Sequence, residues 1–126
     1  MQETAHGNFS IEVDGRLLIN RYSEGFNIVG INALTSALLD AAKSLDKWVL
    51  LQLPEPSAGL TNDAIPVMLH AYNQLQKAGC VAVGLHDNSL FVRAGYTHKG
   101  ITVTLPFLID KEESKLRSWL MARLDD

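Results

Sequence analysis

The chain has 126 residues, of which 47% are hydrophobic and 20% charged, with a formal net charge of −3. That balance excludes a disordered or fibrous chain and fits one domain whose core needs no metal or disulfide staple. The absence of a cationic stripe argues against nucleic-acid binding, and no apolar stretch approaches the roughly 20 residues of a membrane span.

The first residues, MQETAHGNFS, carry neither a cationic start nor an apolar leader segment, so a soluble cytoplasmic protein is expected. Phe9, Ile11 and Val13 alternate with Ser10, Glu12 and Asp14, which predicts a strand with one buried face. Asp14-Gly15 signals a tight hairpin turn, because both central positions of a type I′ turn need positive φ. Leu17 to Tyr22 is the returning, antiparallel strand. Asn27 is the expected N-cap of a first helix, in which Ile31, Leu34, Leu38, Ala41 and Leu45 recur at steps of three and four and share one face. Gly30 either weakens its first turn or permits close packing there.

WVLLQL, residues 48 to 53, is a nearly continuous apolar run, the signature of a strand covered on both faces. The punctuated loop LPEPSAGLTND follows, and then a second helix whose stripe is Ile65, Met68, Leu69, Tyr72 and Leu75. Pro66 lacks an N–H and belongs in the first turn, so Asp63 is the expected cap and Thr61 is placed just outside the helix. Lys77-Ala78-Gly79 ends it with a cation near the negative end of the dipole and a glycine free to take positive φ. CVAVGL, residues 80 to 85, is a second buried strand. A short helix is expected over 88 to 94. Ile101, Val103 and Leu105, alternating with threonines, read as the last strand. Asp110 and Glu113 have capping-box spacing before a final helix carrying Leu116, Trp119, Leu120 and Leu124, with Glu113 and Arg117 able to pair across one turn.

The order ββαβαβαβα predicts a single α/β domain over residues 1–126. Its sheet should be mainly parallel, with an N-terminal antiparallel hairpin. The single cysteine, Cys80, cannot pair within the chain and lies in an apolar run, which fits an inert thiol in a reducing compartment.

This order, with HGNFSIEVDGRLLI at the start, GFN before the first helix, WVLLQL as a central strand and FLIDKEESKLRSWL at the end, resembles the bacterial STAS-like family, the SpoIIAA-like fold of the anti-sigma-factor antagonists. The likeness is strongest to its stand-alone branch and covers nearly the whole chain. It implies a non-enzymatic regulatory, protein-interaction domain that a partner kinase phosphorylates in the loop before the second long helix. Here Ser57-Ala58-Gly59-Leu60 follows the serine-to-glycine pattern with Pro56 where the family has aspartate. Thr61 sits nearer the family's distance from the strand, with Leu60 where the family has aspartate and Asn62 where it has glycine. The resemblance therefore makes Thr61 and Ser57 the candidate phosphorylation sites, facing a kinase-like or regulatory partner.

The residues themselves offer several sites. Gly59, Asn62 and Asp63 form a candidate partner- or anion-binding loop, because the free N–H groups of a helix start attract anions and strand carboxyl ends gather ligands. The same residues also make an ordinary turn. His86-Asp87 is a histidine beside a carboxylate, but neighbours on an extended chain point to opposite faces, and no catalytic set is expected. His6, His70 and His98 lack metal-ligand spacing, and no motif for a metal or cofactor is present. Phe91, Tyr96, Phe107 and Trp119 could line an apolar pocket, which makes a small carrier or binder of a lipid-like ligand the alternative to the regulatory domain; core packing is the plainer use of such aromatics. The sequence leaves a homodimer open.

Overall fold

The structure, a computed structural model, describes residues 4–87 and 103–125. Strands β1 (Asn8–Asp14) and β2 (Leu17–Ser23) form the N-terminal hairpin. They are followed by the two-residue β3 (Gly25–Phe26), helix α1 (Ile28–Ala41), β4 (Trp48–Pro54), the two-residue β5 (Gly59–Leu60), α2 (Ala64–Lys77), β6 (Cys80–His86), β7 (Phe107–Asp110) and α3 (Glu113–Leu124). The five long strands make one mixed sheet in the order β1-β2-β4-β6-β7. Only β1 is antiparallel to its neighbour, and β3 pairs with β5 in a small parallel strap of its own. The α/β class and the parallel alignment of the two apolar runs, β4 and β6, are as the sequence predicts. The expected 88–94 helix lies outside the described residues.

Because β2, β4 and β6 advance along the sheet in one direction, crossovers of one hand put α1 and α2 on the same face. There Leu18, Trp48, Leu50 and Val83 meet Ile31, Leu34 and Leu38 of α1 and Ala71, Tyr72 and Leu75 of α2. The alternate strand residues Leu17, Ile19, Val49, Leu51 and Ala82 point to the other face, which α3 covers with Leu116, Leu120 and Leu124. This explains the unbroken apolar run in β4, of which Trp48 to Leu51 have no exposed surface. At the far end of the sheet, the Lys47 ammonium donates to the Leu124 carbonyl at 2.9 Å and satisfies an acceptor at the negative end of α3.

Four local expectations are corrected. The hairpin's central pair is Gly15-Arg16, one residue later than the Asp14-Gly15 signal: Asp14 still pairs with Leu17, and only Gly15 has positive φ (62°), the pattern of a II′ turn. The last strand is Phe107–Asp110, residues 103–106 are irregular, and Ile101 lies outside the described residues. Pro106 has no N–H to give to a ladder but its carbonyl accepts from Val83 at 2.9 Å, so strand pairing starts there. The Asp110–Glu113 capping box does not form, because Asp110 is still in β7. Its carboxylate instead accepts from the Glu112 N–H at 2.8 Å, and α3 starts at Glu113 with no side-chain cap. The Glu113–Arg117 pair is present at 2.8 Å. Helix α1 ends at Ala41, so Leu45 lies in the turn beyond it.

Asn27 caps α1 as expected, and it does more. Its side-chain oxygen accepts from Gly30 N–H at 2.8 Å and from His6 N–H at 2.9 Å, while its amide donates to the Thr4 carbonyl at 2.8 Å. The chain N-terminal to β1 is thereby fastened across the helix start. A Cβ on Gly30 would lie 2.0 Å from the His6 carbonyl oxygen, so the glycine is there for close approach. Gly30→Ala should lower stability by about 1–2 kcal/mol in a urea titration even though alanine is the better helix former. Faster amide exchange at His6 would accompany it; a gain in stability would show that the clasp contributes nothing.

Candidate functional site

The face that holds α1 and α2 is not wholly apolar. On β2, Asn20 and Tyr22 follow Leu18 at steps of two, and on β4 Gln52 follows Trp48 and Leu50, so all of them point toward the helices. Asn20 and Gln52 are register partners, and with Tyr72 of α2 all three are essentially buried, at 0%, 5% and 4% exposure. They form one chain of hydrogen bonds. Tyr72 Oη donates to Gln52 Oε1 at 2.5 Å, Gln52 Nε2 donates to Asn20 Oδ1 at 3.1 Å, and Asn20 Nδ2 donates to the Ser10 carbonyl at 3.2 Å and the Arg21 carbonyl at 3.4 Å.

The direction of this chain is forced. A carbonyl can only accept, so Asn20 must turn its NH2 toward Ser10 and Arg21. Its oxygen then faces Gln52, Gln52 must offer nitrogen, and the remaining Gln52 oxygen takes the Tyr72 hydroxyl hydrogen. The Tyr72 hydrogen is thus committed, and its oxygen is left as an acceptor.

Gln52 and Tyr72 stand at the polar wall of a cavity of about 60 Å³. It lies between the helices and the sheet, toward the carboxyl ends of β2, β4 and β6, where ligands gather in α/β sheets. Leu34 and Leu38 of α1, Ala71 and Leu75 of α2, Leu85 of β6 and Phe26 line it, with Thr35 as a further hydroxyl that is already turned back to the Ile31 carbonyl at 2.7 Å. Tyr22, Gly59, Leu60 and Met68 are half-buried and mark its mouth. The strap of β3 and β5 closes that side. It is held by Gly59 N–H to the Glu24 carbonyl at 3.1 Å and Thr61 N–H to the Phe26 carbonyl at 2.9 Å. Chain entering the strap passes through positive φ at Glu24 (66°), an uncommon conformation for a residue with a side chain.

Burial raises the pKa of Tyr72, and burial followed by the neighbouring Tyr72 raises that of Tyr22. Burial also pushes the Cys80 thiol up to about 12. Among the described residues, none that lines the cavity carries a charge at neutral pH.

The expected sites fall as follows. Ser57 and Thr61 are both exposed, but both hydroxyls are engaged: Ser57 Oγ accepts from Glu24 N–H at 3.2 Å, and Thr61 Oγ1 donates to Asp63 Oδ1 at 2.5 Å. Asp63 precedes α2 and puts Pro66 at its third position, as expected, but its carboxylate does not cap the helix. Asn62 and Asp63 are exposed in the turn, while Gly59 belongs to the strap.

Phe107 and Trp119 are not brought together. Phe107 packs edge-on to Tyr72 at 4.8 Å on the α2 face, and Trp119 packs with α3 on the opposite face beneath the Arg123 guanidinium. Phe91, Tyr96 and His98 lie outside the described residues. His86 Nε2 donates to the Lys111 carbonyl at 2.9 Å, and His70 is exposed on α2. Among the described residues no group of three or more His, Cys, Asp or Glu could hold a metal ion, and no helix is long and apolar enough to cross a membrane.

Asn20 and Gln52 were not singled out from the sequence, although each is the lone polar residue on the helix-facing side of an otherwise apolar strand segment. Comparison of the chain with protein-family models and with curated proteins finds no match.

The raised pKa values set an alkaline limit. Unfolded, the Cys80 thiol releases its proton near pH 8.5 and the two phenols near 10; folded, all three hold theirs to higher pH. The unfolded state therefore binds fewer protons above about pH 9, and stability falls as pH rises, by about 1.4 kcal/mol per unit for each group in that window. Urea titrations between pH 8 and 11 should show this decline, with its first part removed by Cys80→Ala. A flat profile would contradict it.

Proposed function

We propose that the chain is a non-enzymatic binding domain that takes a small apolar ligand into the cavity between α1, α2 and the sheet. The observation that carries this reading is the cavity itself: apolar on most sides, placed at the strand carboxyl ends, and furnished at one wall with a fixed hydrogen-bonding group. The ligand-binding function suggested by the late aromatics is thus moved to residues of α1, α2, β4 and the strap. Toluene is a suitable first probe. Titration of the protein should perturb the amide signals of Phe26, Leu34, Thr35 and Ala71 together, and at ten times the Kd it should stabilise the fold by about 1.4 kcal/mol. Ala71→Phe fills the cavity from α2 and should abolish both effects in a folded protein. Perturbations scattered over the surface, or unchanged by Ala71→Phe, would remove the reading.

A second reading is a phosphorylation-switched, protein-interaction domain. It is supported by the sequence resemblance to SpoIIAA-like proteins and by the exposure of Ser57 and Thr61 at the strap. Phosphate on Thr61 would replace a hydrogen bond to Asp63 with repulsion between anions, releasing the turn before α2. Mass spectrometry of the protein from cells grown under several conditions should find phosphate at one of the two hydroxyls; uniformly unmodified protein would set this reading aside.

A further inference from the structure

We infer that the cavity selects a neutral ligand that donates a hydrogen bond, a phenol or a small alcohol, over a carboxylate, an amine or a pure hydrocarbon. The inference deepens the binding reading above and rests on it. It begins from the one-way chain that ends at Tyr72. Backbone carbonyls of Ser10 and Arg21 orient Asn20, Asn20 orients Gln52, and Gln52 takes the Tyr72 hydrogen, so the hydroxyl oxygen of Tyr72, a residue that lines the cavity, is left with lone pairs only. Gln52 keeps one amide hydrogen beyond the one given to Asn20. Among the described residues nothing hydrogen-bonds the hydroxyl of Tyr22, which lines the same space.

A ligand hydroxyl matches this wall in both senses. It donates to the Tyr72 oxygen and accepts from Gln52 or Tyr22. A carboxylate would bring a charge into a cavity with no cation among the described lining residues, and at the Tyr72 oxygen it would set lone pair against lone pair. An ammonium group would find no carboxylate among the described lining residues. A hydrocarbon would leave the wall's polar atoms without hydrogen-bond partners.

Size narrows the class further. The 60 Å³ of cavity is less than half of the roughly 150 Å³ that accepts benzene in an engineered apolar core. A single ring therefore fits only with its hydroxyl edge inward and its far edge in the mouth beside Leu60 and Met68. Longer chains would have to leave through that mouth.

The test uses three single-ring probes at pH 7: phenol, toluene and benzoate. Phenol and toluene are nearly isosteric, so their comparison isolates the hydroxyl. Without a partner in the cavity the hydroxyl would cost phenol about tenfold or more in affinity relative to toluene. Wild-type protein should instead bind phenol at least as tightly as toluene, and benzoate at least tenfold more weakly than phenol, with shifts centred on Tyr72 and Gln52. In the Gln52→Leu/Tyr72→Phe double variant, which removes the wall while keeping much of its bulk, toluene binding should persist and the phenol preference should fall tenfold or more. Should the variant fail to fold, the wild-type ranking alone decides. Toluene favoured tenfold over phenol, or benzoate equal to phenol, overturns the inference while leaving the binding reading in place. Failure of all three probes overturns both.

Discussion

The structure depends on a polar constraint inside an apolar layer. Asn20, Gln52 and Tyr72 could have been replaced by leucines and a phenylalanine with little change of volume. Instead they link two strands and a helix through hydrogen bonds that end on backbone carbonyls. A buried amide that loses one partner costs about 1–3 kcal/mol, so each member enforces the next. Because the far end of the chain is a pair of acceptors that cannot reverse, the hydrogen-bonding character of the cavity wall is decided some distance from the cavity, at the β1–β2 hairpin.

That constraint also fixes register. Asn20 pairs with Gln52 across parallel strands, and the same pairing brings Leu18 opposite Leu50. A slip by one residue would turn Asn20 to the α3 face, send Leu17 and Ile19 to the other, and leave Gln52 opposite Ile19 or Arg21. The run Trp48 to Leu51 by itself tolerates slippage in packing energy, since it is apolar on both faces. The amide pair removes that tolerance. The stability given up by burying amides in the core is offset by a unique alignment of β2 and β4.

Much of the architecture is legible in the sequence because it follows from periodicity. The stripes of α1 and α2, the parallel pair β4 and β6, the Asn27 cap and the place of Pro66 in α2 all derive from spacing and from single-residue chemistry. What is not legible depends on neighbours distant in the chain. The hairpin turn moved by one residue because Asp14 pairs with Leu17, which depends on the whole β1–β2 register. Asp110 left the capping box because β6 offered it a strand to join. Phe107 and Trp119 parted because α3 crosses to the other face of the sheet, and spacing along the chain carries no record of that crossing. The site was missed for a related reason: a lone Asn or Gln in a strand reads as noise until its register partner is known to be the other.

The strap gives the two functional readings a common element. Ala58, Gly59 and Leu60 line the cavity from one side of a segment whose flanks are Ser57 and Thr61. Two backbone hydrogen bonds and the Ser57–Glu24 contact hold that segment to β3, and Glu24 reaches it through a conformation that costs a residue with a side chain about 1–2 kcal/mol. A ring seated deep in the cavity bears on Leu60, next to Thr61, while a phosphate at Thr61 bears on the turn that carries Leu60. Both act on the same two-residue pairing, in which Phe26 is buried in the core and Leu60 is only partly buried. A ligand entering past the partly buried Leu60 and Met68 can be admitted without disturbing the sheet, because the far side of the cavity, with Gln52, Tyr72 and Phe26, belongs to the core.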